Sequence, residues 1–195
     1  MMVKGGLKRQ LRISKYVIYK ETLLDYKELF WSFVGAFIGI AAIAFFQTNF
    51  LSRSENVFLI GSFGASAVLL YGATNSPLSQ PRNVIGGHLI SSLIGVTIYR
   101  FMPDVIWITA PLAVAASIVV MQMTKTLHPP GGASALIAVI GTEKIKALGY
   151  WYVLSPVLIG ALILLFTALI FNNIPAHRKY PSVVKRNYFK RTRKS

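Results

Sequence analysis

Residues 128–132 break into an apolar run with a histidine, two prolines and two glycines (His128-Pro129-Pro130-Gly131-Gly132), and few backbones accommodate that in a bilayer. Pro129 and Pro130 have no N–H to donate, and each biases the residue before it toward an extended conformation. Gly131 and Gly132 admit a ligand or a second helix at backbone distance. Ala133, Ser134 and Ala135, followed by Leu136 to Ile140, then read as a short apolar helix closed by Gly141. Extended backbone at membrane depth survives where protein buries it or where it lines a cavity. Two uses stay open on the residues alone. The start of the short helix offers unpaired N–H groups and the positive end of a dipole to a small anion. Gly-Ala-Ser-Ala is equally the composition of close helix contacts.

The chain around this stretch supplies the membrane. Of 195 residues, 54% are hydrophobic and 14% charged, a membrane composition. Apolar segments run from Leu29 to Phe46, Val57 to Tyr71, Val84 to Phe101 (with Gly86, Gly87 and His88 interrupting it), Val105 to Met123, the short helix after His128, and Tyr150 to Phe171. The second and fifth fall below the ~20 residues of a clean crossing. They also match each other, Gly64-Ala65-Ser66-Ala67-Val68-Leu69 against Gly132-Ala133-Ser134-Ala135-Leu136-Ile137. The pattern is long–short–long, twice, as repeats over 29–101 and 103–171. Three segments per half make the second half enter from the opposite face, an inverted repeat. The expected fold is an all-α membrane protein of six apolar segments with short, broken helices 2 and 5 whose N-termini face each other near the midplane. An extended lead-in plus a half-helix can bridge ~30 Å. The alternative is four full spans with segments two and five re-entrant.

The formal charge of +15 gathers at the two ends. Residues 1–28 form a basic tail that closes in an amphipathic interfacial helix over Tyr16 to Phe30, and residues 172–195 form a second basic tail. The positive-inside rule places both termini in the cytoplasm. The tails suit anionic lipid headgroups better than nucleic acid. Residues 1–15 adjoin no long apolar core and no small-residue cleavage site, so no secretory leader is expected. Cysteine is absent, which excludes disulfides and thiolate metal sites.

No Asp or Glu falls inside these apolar segments, which argues against a carboxylate proton relay or metal cage at the midplane. No nucleophile–base pair is visible either, so no enzyme is expected. His88 and His128 are the ionisable side chains near membrane depth. A histidine pair is too few ligands for a metal site, and no cofactor is expected. Ser66 and Ser134 hold equivalent places in the two repeats and can donate hydroxyl hydrogen bonds or bond back to their own helices. The candidate substrate contacts are Ser62, Gly64, Ser66 and His88, with His128, Pro129, Pro130, Gly131, Gly132, Ala133 and Ser134. Asn75, Ser76, Gln80, Arg82 and Asn83 are the most polar cluster beside the membrane, candidates for gating or for steering an anion.

Two long motifs carry a resemblance. His128-Pro129-Pro130-Gly131-Gly132-Ala133 resembles the signature of the HPP family of integral membrane proteins. Gly61-Ser62-Phe63-Gly64-Ala65-Ser66, Asn75 to Asn83 and Gly86-Gly87-His88 are similar to a second block of that family, and the likeness runs from about Leu29 to Phe171. It implies a small helical membrane protein, usually described with four membrane helices. Plant plastid and cyanobacterial members are linked to nitrite transport. The expected function is therefore a transporter or channel for a small inorganic anion, nitrite by resemblance, held at the facing half-helix N-termini. A pore for a small neutral solute and a non-transporting scaffold are the alternatives. The expected location is the plasma membrane of a prokaryote or an organelle membrane. Small-residue faces on spans one, three and six, Gly35 and Gly39 among them, suggest a homo-oligomer, a dimer first.

Overall fold

The computed structural model describes residues 25–50 and 61–182. The N-terminal tail with most of its expected interfacial helix, residues 51–60 with the start of the expected second apolar segment at Val57, and the basic run from residue 183 lie outside the described residues. Among the described residues all regular structure is helical. Helix α1 spans Tyr26–Phe50, α2 spans Gly61–Ala67 and runs on as a π-helical turn Val68–Gly72, α3 spans Pro81–Phe101 and α4 spans Ile106–Met123. Helix α5 spans Pro129–Ile140, α6 is the short Glu143–Ala147, and α7 spans Ile159–Phe171 after a π-helical segment Val153–Leu158.

Four of these are long and apolar enough to cross a membrane: α1, α3, α4 and the unit Val153–Phe171. Their outward faces expose Phe33, Phe37, Phe45, Ile118 and Phe166, side chains that bilayer hydrocarbon accepts. Trp107 and Trp151 stand exposed at one end of the bundle, where interfacial tryptophans collect. Helix α5 has 12 residues, about 18 Å of rise, well short of the ~30 Å core. The described part of α2 with its π turn runs from Gly61 to Gly72.

Several helix boundaries differ from the sequence expectation, each for a local reason. Helix α5 starts at Pro129, four residues before Ala133, because proline at the first helical positions has the right φ and no N–H to lose. Helix α3 likewise starts at Pro81, so Arg82 and Asn83 are helical. Gly86 and Gly87 do not interrupt it. A Cβ on Gly86 would run into Thr126, and one on Gly87 into His128, so both glycines bring neighbouring backbone close. The last span is not one straight helix. Ser155, at φ −136° and ψ 117°, leaves helical geometry just before Pro156. Lys125 sits at φ 57° and ends α4 in a left-handed cap, with Thr126 N–H bonded to Met121 O at 2.8 Å.

Contacts fix the running sense of each helix. Glu28 at the start of α1 meets Arg178 beyond the end of α7, so those helices are antiparallel. Helix α2 descends from Phe63, seated on Gly160, to Leu70, whose carbonyl accepts from Asn172. It runs parallel to α7 and antiparallel to α3. Helix α5 runs parallel to α3, since Gly131 lies on Gly87 and Ala135 on Gly95. The two short helices, which pack on each other, are therefore opposed in direction.

The small residues of the long helices are used inside the protomer. Tyr71 lies across α1 where Gly35 and Gly39 leave room for its ring, and its phenol reaches Leu164 O at 3.1 Å and Thr167 Oγ1 at 2.6 Å. Gly95 receives the Ala135 backbone and Gly160 the ring of Phe63. These glycines are the ones behind the expected oligomer, and they serve internal packing instead.

Folded structure continues past the expected boundary at residue 172. Arg178 is buried and donates to Glu28 carboxylate and backbone, to Ser32 Oγ, to Tyr71 O and to Asn172 Oδ1. His177 adds a contact to Glu28 Oε1 at 2.9 Å. Tyr180 exchanges bonds with Asn173 and donates its hydroxyl to Ser79 O at 2.6 Å. Burial pushes the Tyr180 phenol above its ordinary pKa.

Candidate functional site

Helices α2, α3 and α5 converge on a polar centre with no exposure at all: Ser66 from α2, His88 from α3, and His128 and Ser134 from the start and interior of α5. Ser66 Oγ lies 2.7 Å from His88 Nε2 and 3.0 Å from His128 Nε2. His88 Nδ1 lies 2.8 Å from Ser134 Oγ. His128 Nδ1 lies 2.8 Å from the carbonyl of Leu78, in the 3-10 turn Pro77–Ser79 that precedes α3. The imidazole centroids are 5.0 Å apart, and Phe63 packs edge-on against His88.

One carbonyl orders the whole set. Leu78 O can only accept, so His128 Nδ1 carries a hydrogen. With neutral imidazoles His128 Nε2 then accepts, and Ser66 must donate to it. That uses the only hydroxyl hydrogen of Ser66, so His88 Nε2–H donates to Ser66. His88 Nδ1 accepts in turn, and Ser134 donates to it. The result is one directional chain, Ser134 to His88 to Ser66 to His128 to Leu78 O. Ser66 and Ser134, paired by position in the sequence, are paired here across the two nitrogens of one ring. Tyr152 steadies the far end by donating to Ser134 O at 3.1 Å.

The other candidates divide. Ser62 is buried one turn from Ser66 on the same face of α2, and its hydroxyl has no hydrogen-bond partner among the described residues. Gly64 faces outward with nothing within 4 Å of a Cβ position, and Gly132 faces Val114 of α4 at 3.8 Å. Neither lines the centre. Gly131 does border it, against Gly87 O and Ser91 Oγ. Pro130 is buried, whereas Pro129 and Ala133 help line a groove of about 460 Å³ between α4 and α5.

The start of α5 is a poor cradle of N–H groups. Of the first donors of this helix two are prolines, and Gly131 N–H is bonded to His128 O at 2.8 Å. The donors in this centre are side chains. Ser66, within the described part of α2, meets the start of α5.

The polar cluster before α3 makes local bonds. Ser76 caps Leu78 N–H, Gln80 donates to Thr74 O and Ser76 O and accepts from Ser182 N–H, and Asn83 donates to Leu127 O. Arg82 is exposed and donates to Thr124 O at 2.8 Å, and Asn75 is exposed. These residues hold the turn that carries Leu78. Among the described residues no three His, Cys, Asp or Glu side chains gather as metal ligands.

Sequence reasoning missed one partner of this centre and one clamp outside it. Leu78 acts through its carbonyl, which no side-chain pattern announces. Glu28 and Arg178 pair across 150 positions of chain, and the basic run around Arg178 hides its burial.

A helical bundle with four candidate crossings and a buried His–Ser centre between broken helices defines a polytopic membrane protein. The chain belongs to the HPP family, whose transmembrane-region model matches residues 21–181. A transmembrane protein of Dictyostelium discoideum is 44% identical over 181 residues, covering 91% of this chain and 54% of that protein. A second transmembrane protein of the same organism is 42% identical over 160 residues, 80% of this chain and 56% of that protein. The chain thus spans about half the length of these curated relatives. No solved structure matches it.

Proposed function

We propose that the protein transports a small inorganic anion, with nitrite the first candidate by family resemblance, and that the His–Ser centre is where the anion is recognised. The observation that carries this is the convergence of two imidazoles and two hydroxyls, all fully buried, where α2 and α5 meet α3. Buried polar groups in a membrane bundle are costly and mark solute pathways. The hydroxyl of Ser62, without a hydrogen-bond partner among the described residues, adds a donor one turn from Ser66. The opposed directions of the two short helices, which pack on each other, support the inverted-repeat architecture, in which each half supplies one short helix to a shared centre. In this arrangement both basic ends lie on the cytoplasmic side. The proposed assembly is a homodimer through the outward face of α2, where Gly61, Gly64 and Val68 are exposed.

Purified protein in liposomes tests the reading. Nitrite, nitrate, chloride and formate are offered with a small neutral solute as control. Saturable anion flux that other anions compete away, lost in His88→Ala, is the expected result. Flux of the neutral solute without anion competition would establish the pore alternative. No flux of any solute from correctly folded protein would leave a scaffold.

A further inference from the structure

We propose that the His–Ser chain carries a proton with the anion: the two occupy the centre together, the proton on His128, and leave together. The inference rests on the transport reading above and deepens it. Its ground is the polarity of the chain. In the neutral state only one direction of donation is available, because Leu78 O cannot donate. One added proton makes the opposite direction available with every bond kept. A hydronium proton arriving at Ser134 Oγ, with water left behind, lets that hydroxyl pass its own hydrogen to His88 Nδ1. His88 Nε2–H moves to Ser66, and the Ser66 hydrogen moves to His128 Nε2. The net change is one proton gained, and His128 ends as an imidazolium. His128 Nε2–H then donates to Ser66, Ser66 to His88 Nε2, and His88 Nδ1–H to Ser134, across the same 2.7–3.0 Å contacts. His128 Nδ1–H stays on Leu78 O throughout.

The surroundings say what must balance that charge. Helices α2, α4 and α5 contain no ionisable side chain within their spans. On α3, Arg82 is engaged with Thr124 O, while Tyr99 and Arg100 sit at the far end beside Lys146 and Tyr150. Glu28 of α1 is held by Arg178 and His177. From the remaining elements come phenols: Tyr152 on Ser134 O, Tyr71 on Leu164 O, and Tyr180 on Ser79 O. No carboxylate among the described residues bonds to any member of the chain, so an imidazolium at His128 takes its counter-charge from the ligand. A buried cation without a partner is expensive, and an anion bound beside it removes that cost. The proton and the anion therefore favour each other's binding and cross as a neutral pair.

The test uses the full chain in liposomes that contain a pH-sensitive dye, with nitrite as probe and protein-free vesicles to subtract diffusion of its conjugate acid. An inward proton gradient is expected to accelerate nitrite uptake, with a matching entry of protons. Ser66→Ala cuts the chain at its middle and is expected to lower gradient-driven uptake by about tenfold or more, while Ser66→Thr restores it. Nitrite flux that is the same with and without the gradient, with no proton entry, overturns the proposal and leaves anion transport standing. Normal proton coupling in folded Ser66→Ala also overturns it. Absence of all anion flux in the wild type removes the transport reading and this inference together. The wild-type proton count decides the question even where the variants do not fold.

Discussion

Gly131 and Gly132 are neighbours in one motif, yet the structure predicts opposite responses to alanine. A Cβ on Gly131 would lie 2.7 Å from Gly87 O, 2.7 Å from Ser91 Oγ and 3.0 Å from Gly87 C. Two of these atoms are α3 backbone, which cannot step aside as a flexible side chain can. Overpacking of this kind costs about 1–3 kcal/mol, and replacing a helical glycine returns roughly 0.5–1 kcal/mol. Gly131→Ala should therefore destabilise by about 1–2 kcal/mol. A Cβ on Gly132 meets only Val114 Cγ1 at 3.8 Å, an ordinary contact, so Gly132→Ala should be neutral or stabilise by up to about 1 kcal/mol. Reversible unfolding of the two variants in mild detergent, against wild type, measures the difference. Gly131→Ala should also lower transport, because α5 must move and His128 is at its first turn. Equal destabilisation by both substitutions, or a larger loss at Gly132, would refute the packing argument.

Arg178→Ala removes a buried guanidinium from five partners and leaves Glu28 without its main counter-charge; because Glu28 is partly exposed, the loss should sit near about 3 kcal/mol, the low end for a broken buried pair, and protease sensitivity around residues 172–182 should report it. Lys125→Gly should leave stability unchanged or raise it by up to about 1 kcal/mol in the same unfolding assay, since the residue occupies a left-handed cap at φ 57°. The raised pKa of Tyr180 means that the folded state favours the neutral phenol. Its contribution is present below the unfolded value of about 10 and lost as pH climbs beyond it. Alkaline unfolding followed in Tyr180→Phe should show a weaker dependence above that pH than wild type.

The long spans were legible because stretches of eighteen or more residues with high mean hydropathy leave few alternatives, and four of them stand among the described residues. The pairing of Ser66 with Ser134 was legible as a register match between two short segments, although their common partner was not. That partner is His88, which the sequence shows as an interruption of a span; helix geometry turns it inward with Gly87. The expected cradle of backbone N–H groups at His128 to Gly132 did not follow, because the prolines that start α5 delete the donors such a cradle needs. Gly35 and Gly39 read as a helix–helix face, and their partner is a tyrosine ring from a segment of π-helical turn. Small residues announce a close approach without saying what approaches. The break at Ser155 was signalled by Pro156, but an apolar run of that length hides it.

The clamp between Glu28 and Arg178 also bears on the order in which the molecule can be made. Glu28 emerges with α1 and its partner only after α7, 150 residues later. At roughly 5–20 residues per second of synthesis, the first helix waits many seconds in the bilayer with an acid at its entrance and no guanidinium to hold it. Tyr71, which shares Arg178 through its carbonyl, waits as well. The described bundle locks from the segment after α7, so a nascent chain halted before Arg178 carries α1 through α7 and still presents an open end to the membrane's quality-control machinery.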